Sequence, residues 1–186
     1  MAQPPKTKRI FVISGLAGSG KTTVASYLSQ ALSIPYLEED DYHTTDIKLK
    51  IGNGKPLTVD DRWDWLIELR DKAAKRLRSS DAIIVTCSSL GRKCRDVFRV
   101  MPYYDRAVRV RFIYLKIDEE QLQERASSRV GHEINITTVR SQMECLEEPA
   151  EDESDVVTVD VKEREQLAVC EDALARVGEK FDEGGT

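Results

Sequence analysis

Three stretches of this 186-residue chain carry side chains whose types and spacing could do chemistry. The first is GLAGSGKT, Gly15 to Thr22, which fits G-x-x-x-x-G-K-[ST] in full between an apolar run and a helix-period segment. In that setting the loop turns backbone N–H groups inward on a phosphate, and the following helix adds its positive dipole end. The residues assigned to this cradle are Gly15, Leu16, Ala17, Gly18, Ser19, Gly20, Lys21, Thr22 and Thr23. Lys21 would reach the β- and γ-oxygens of a nucleoside triphosphate, and Thr22 would offer its hydroxyl to Mg²⁺.

The second stretch, LEEDDYH from Leu37 to His43, sets four carboxylates in a row before one of only two histidines. Such a run can clamp a metal, take a proton or simply face water. The neighbouring cradle favours chemistry. If Ile34 to Glu38 is a strand, alternation sends Glu38 and Asp40 to one side and Glu39 and Asp41 to the other. Asp40 is then the candidate to accept a proton from an attacking hydroxyl, and Glu38 to hold a water of the Mg²⁺ shell.

The third stretch, DEEQLQERASSRVGHE, places Arg125 and Arg129 four residues apart on one helical face, with no acidic residue three or four positions before either. Stacked like charges cost about a few tenths of a kcal/mol in an isolated helix unless an anion lies between them. The pair suits a lid closing over a transferring phosphoryl group, with Gly131 as its hinge. The plainer reading is a solvated basic edge, and His132 reads as a solvated loop residue.

The elements that must position these residues follow from the apolar pattern. Five short apolar runs, Ile10 to Ile13, Ile34 to Glu38, Ala82 to Cys87, Val110 to Ile117 and Val156 to Val161, alternate with helix-period segments. That is the pattern of an α/β domain with a parallel sheet covered on both faces. One helix carries Val24, Leu28, Ala31 and Leu32 on a single face; another opens with Thr58 and Asp61 at capping-box spacing and buries Leu66, Leu69, Ala73 and Leu77. Trp65 belongs to the core and Trp63 to the surface, while the acidic EEPAEDESD reads as a solvated loop. Residues 1–8 read as a flexible tail, 9–181 as one domain with a lid at about 125–140, and 182–186 as a frayed end.

A third of the residues are charged and 40% are hydrophobic, as in a globular domain. The net charge of −5 argues against non-specific nucleic-acid binding. Cys87, Cys94, Cys145 and Cys170 have neither disulfide-framework nor zinc spacing, and the N-terminus lacks a signal-peptide core. No run is long enough to span a membrane, and a cytoplasmic protein fits best.

Taken together, GLAGSGKT, EEDDYH, GKPLTVDDRWDWL, CSSLGRKCRD, FIYLK, RVGHE and SQMECLEEP make the chain resemble the small P-loop gluconokinases, relatives of shikimate and nucleotide kinases. The resemblance implies a five-stranded parallel sheet in 2-3-1-4-5 order, a homodimer, and transfer from ATP to D-gluconate with Mg²⁺. It further implies that Asp40 activates the acceptor hydroxyl, that His43 and Lys50 lie in the acceptor pocket, that Arg62 or Arg95 meets the gluconate carboxylate, and that Arg125 and Arg129 are lid arginines. Departures fall mainly on the acceptor side: Thr44, Ile47, Gly91 and Cys94 replace the usual Pro, Asn, Lys and Tyr, with Glu39 where Gly is common and Glu133 where Phe is. Two other readings stay open, a kinase of another small hydroxy acid or polyol and a non-catalytic nucleotide-binding paralogue.

Overall fold

Strands form where β-branched and aromatic residues run together. In the computed structural model, which describes residues 6–53, 55, 57–128 and 136–178, these are β1 (Lys8–Ser14), β2 (Tyr36–Leu37), β3 (Ala82–Thr86), β4 (Val108–Lys116) and β5 (Val156–Asp160). They pair in parallel in the order β2-β3-β1-β4-β5, the order implied by the resemblance. Alternation along β1 divides the core: Ile10 and Val12 face one side, Phe11 and Ile13 the other.

Helices α1 (Lys21–Leu32) and α8 (Gln166–Gly178) bury Val24, Leu28, Val169 and Ala173 against the Phe11 face. Helices α2 (Thr45–Gly52), α3 (Val59–Arg76), α4 (Arg92–Arg99) and α5 (Met101–Tyr104) serve the opposite face, which takes Ile47, Leu66, Leu69, Phe98 and Met101. Helices α6 (Glu119–Ser128) and α7 (Ile136–Glu144) run into the two ends of the segment, about 125–140, where the lid is expected. The Thr58–Asp61 capping box is present at the start of α3, and Leu77 closes its buried stripe. Trp65 is buried and Trp63 exposed.

Two expectations need correction. β1 already begins at Lys8, which the sequence assigns to the tail, because its N–H donates to Ala107 O at 2.8 Å. More consequentially, β2 is only two residues long. After pairing with Ile84 and Val85 the chain leaves the sheet: the Glu39 N–H donates to Thr86 Oγ1 at 2.9 Å, and Glu39–Tyr42 winds into a 3₁₀ turn. Strand alternation therefore does not govern the acidic run. A period of three does, pairing Glu39 with Tyr42 and Asp40 with His43.

Candidate active site

The cradle, the acidic turn and the segment after β3 all leave the carboxyl ends of neighbouring parallel strands, where ligands of open α/β sheets bind. The cradle's shape demands its glycine. Gly15 has φ +141°, and a Cβ there would stand 2.8 Å from Leu115 O and 2.9 Å from Ser19 Oγ. Gly18 and Gly20 also adopt positive φ, which aims the loop into the first turn of α1. Lys21 Nζ lies across the loop, donating to Gly15 O at 3.0 Å and Leu16 O at 3.1 Å. Arg125, on α6, donates to Gly18 O at 3.2 Å and Ser19 O at 3.4 Å, so both cations rest where phosphate charge would collect. Thr22 stands exposed on the first turn of α1, with Thr23 half-buried beside it. Arg129, Gly131, His132 and Glu133 lie outside the described residues.

The 3₁₀ turn sorts the four carboxylates. Asp40 keeps 77% of its side-chain surface open, with Oδ1 at 3.5 Å from His43 Nδ1. Although the side chain is largely open, protein atoms around the turn desolvate its carboxyl and raise it above the ordinary value; Glu39 and Glu38 add repulsion, and His43 and Lys21 pull the other way. Asp41 is exposed. Glu38 is a brace, accepting from Tyr36 Oη at 2.7 Å and from Thr86 Oγ1. Glu39, which alternation would turn away, is buried and faces the site: Oε1 accepts from Trp65 Nε1 at 3.2 Å and Cys87 Sγ at 3.5 Å, and Oε2 accepts from Ser88 N at 2.7 Å and Ser88 Oγ at 2.9 Å.

Beside this turn is a cavity whose polar lining includes Glu39, His43, Lys55, Arg62, Ser88 and Gln142. Trp65 and Cys94 contribute apolar surface, and burial pushes the Cys94 thiol up. The His43 ring meets Trp65 edge-on at 4.8 Å. Arg62 reaches the cavity while donating to Leu57 O at 3.3 Å. Ser89 holds φ +44°, a left-handed conformation of the kind that clusters at ligand sites.

Two residues assigned to the acceptor pocket are placed elsewhere. Lys50 lies in an outer groove, where it pairs with Asp61 and holds that carboxyl down at about 2. Arg95 is 2% exposed, and its guanidinium is committed to Glu153 at 2.7 Å on both oxygens, to Ser89 O at 3.2 Å and to Glu147 O at 3.0 Å. Four of its five N–H donors are spent on these partners, and the buried group is not part of the cavity wall. The acidic loop read as solvated is thus anchored through its buried Glu153. Of the departures, Thr44 caps α2 by accepting from the Ile47 N–H, Ile47 joins the core, and Gly91 caps α4 with its missing Cβ 3.6 Å from Glu147 Oε2. Among the described departures, only Cys94 and Glu39 line the cavity.

Sequence reasoning passes over Glu39, Ser88 and Gln142 as site residues. Gln142 Oε1 accepts from the Ala17 N–H of the cradle at 2.7 Å and lines the cavity, tying α7 to both. Its only signal in the sequence is its place within SQMECLEEP.

A phosphate cradle tied through Gln142 to a small cavity, on a parallel sheet in this order, defines a P-loop small-molecule kinase. Comparison with known proteins narrows the class. Residues 10–149 match the family model described as AAA domain. The chain is 40% identical over 157 residues to a probable gluconokinase of Schizosaccharomyces pombe, covering 83% of this chain and 81% of that one. A gluconokinase structure from Sinorhizobium meliloti aligns with TM-score 0.75 and 33% identity, and a sugar kinase structure from Janibacter with 0.80 and 32%; each alignment covers 92% of this chain and 94% of the other. The chain belongs to the AAA-domain family and, within it, to the gluconokinase family of P-loop kinases.

Proposed function

We propose that this protein transfers the γ-phosphoryl group of ATP to a hydroxyl of D-gluconate, giving ADP and 6-phosphogluconate. The observation that carries this reading is Asp40, whose carboxylate meets His43 of the cavity wall and feels the charge of the cradle cation Lys21. Lys21 swings from the loop carbonyls to the β- and γ-oxygens, and Arg125 spreads charge over the transferring group. Asp40 takes the hydroxyl proton, and a carboxyl raised toward neutrality is the better base for that task. Arg62 holds the acceptor carboxylate, and Arg129 joins Arg125 over the phosphate.

Among the described residues no three His, Cys, Asp or Glu side chains gather into an ion-holding group. A Mg²⁺ ion would therefore arrive with the nucleotide, held by phosphate oxygens, waters and the Thr22 hydroxyl, with Glu38 or Asp40 ordering its water shell. Bound there, it neutralises charge on the β- and γ-phosphates.

The proposal extends to a cytoplasmic homodimer of one domain that includes Lys8 and runs to about 181, and the four free cysteines suit a reducing compartment. Light scattering tests the dimer. A second reading, another small hydroxy acid or polyol as acceptor, draws on Glu39 and Cys94 in the cavity wall. Coupled measurement of ADP release across gluconate and related acids and polyols decides between them; absence of turnover on gluconate with turnover on another acceptor overturns the first.

A further inference from the structure

Glu39 is the only acidic side chain among the described residues lining the cavity, and it is 4% exposed. Its two oxygens accept four hydrogen bonds, from Trp65, Cys87 and twice from Ser88. A carboxylate has about four lone-pair sites, so none remains for an incoming molecule. Glu39 therefore acts on the acceptor through its charge and through its neighbours.

Ser88 is the neighbour that matters. It is half-buried, lines the cavity, and spends its hydroxyl proton on Glu39. Its Oγ can then present only lone pairs to the acceptor. The Ser88 carbonyl accepts from the Gly15 N–H at 3.3 Å, which fixes this wall next to the cradle. Lys55 lines the same cavity from the chain that enters α3, and Arg62 from the first turn of that helix.

We infer that Glu39 and Ser88 form a charge filter at the phosphate end of the acceptor cavity, admitting a hydroxyl-bearing end and rejecting a carboxylate. The inference rests on the gluconate reading and adds its discriminating residues. Before transfer a terminal hydroxyl points its proton at Ser88 Oγ and brings no charge, and it turns that proton to Asp40 as the phosphoryl group arrives. A terminal carboxylate has no proton to donate and meets the fixed negative charge of Glu39 where water is largely excluded. Leaving buried polar groups unmatched is the strongest way a site turns away a near-isostere.

The test compares gluconate with glucarate, the diacid that differs only in bearing a carboxylate where gluconate has its terminal hydroxyl. Calorimetric Kd values for both are measured with wild-type protein, Glu39→Gln, Glu39→Ala and Ser88→Ala, alongside gluconate turnover and melting temperature. Wild type should prefer gluconate by at least about 100-fold, and both Glu39 variants should shrink that preference at least about tenfold by tightening glucarate. Ser88→Ala should shrink it by weakening gluconate, which keeps the test open if a Glu39 variant fails to fold. A bracing role alone would weaken both ligands equally, and an unchanged ratio in a gluconate-active protein overturns the filter while leaving the kinase reading intact. Wild type that neither binds nor phosphorylates gluconate overturns both.

Discussion

At the scale of single residues, the 3₁₀ turn makes Asp40 and Asp41 a matched pair with different surroundings. Asp40→Asn should lower turnover by about 10²-fold or more while ATP binding holds, the usual scale for loss of a general base. Asp41→Asn should be near neutral in both, since the contact with His43 of the cavity wall belongs to Asp40; equal behaviour of the two variants in rate and calorimetry would remove Asp40 from its role. Because the Asp40 carboxyl is raised, the acid limb of the wild-type rate profile should fall above the ordinary value of 3.8. Lys21→Ala should lower ADP release by at least about 10²-fold with circular dichroism unchanged, for its ammonium bonds only loop carbonyls and fills no core. The cradle is legible in the sequence because every chemical requirement of the loop falls within eight consecutive letters. Glu39 is not, because its direction depends on where β2 ends. That end is set by the bond from Glu39 to Thr86, 47 positions away.

At the scale of elements, α4 is fastened to the loop before β5 by Arg95 and Arg99, both holding Glu153. Arg95→Ala would leave a buried carboxylate without its main partner, and chemical denaturation should show a loss of about 3–5 kcal/mol. Hydrogen bonds from Arg95, and then from Arg99, hold the Glu153 carboxyl at about 2, below the ordinary 4.5. Its contribution to stability is therefore complete above pH 4.5 and drains away as pH falls toward 2. Glu153→Gln should flatten that acid limb in a pH series of melting curves. On α6, Arg125→Ala should lower kcat more than it raises the KM for ATP, as befits a charge that acts on the transition state. A pure KM effect would assign it to ground-state binding. The helices and strands themselves are legible, since caps and apolar periods are local. The role of Arg95 is not: its partner lies 58 residues on, in a stretch whose acidity reads as solvent-facing.

At the scale of the whole molecule, the cradle, the acidic turn and the cavity belong to one sheet, so ligand binding should stabilise the fold as a unit. Saturating ATP at about 100 times its Kd adds roughly 2.7 kcal/mol, or roughly 5–10 °C in melting temperature for a domain of this size. Lys21→Ala should lose most of that shift in a thermal melt, and a full shift in the variant would mean that the nucleotide is held elsewhere. The order of the strands is legible only through the resemblance, because nothing local tells β1 that its partners are β3 and β4. That central placement also governs how the chain comes into being. On the ribosome β1 emerges first, yet Ile10 must wait for Ile83 on one flank and Val110 on the other. Through most of synthesis this central strand is therefore an unpaired edge that invites association between nascent chains. A polypeptide cut short before Val108 keeps that edge permanently, and its fate is capture by chaperones or precipitation rather than a smaller folded domain.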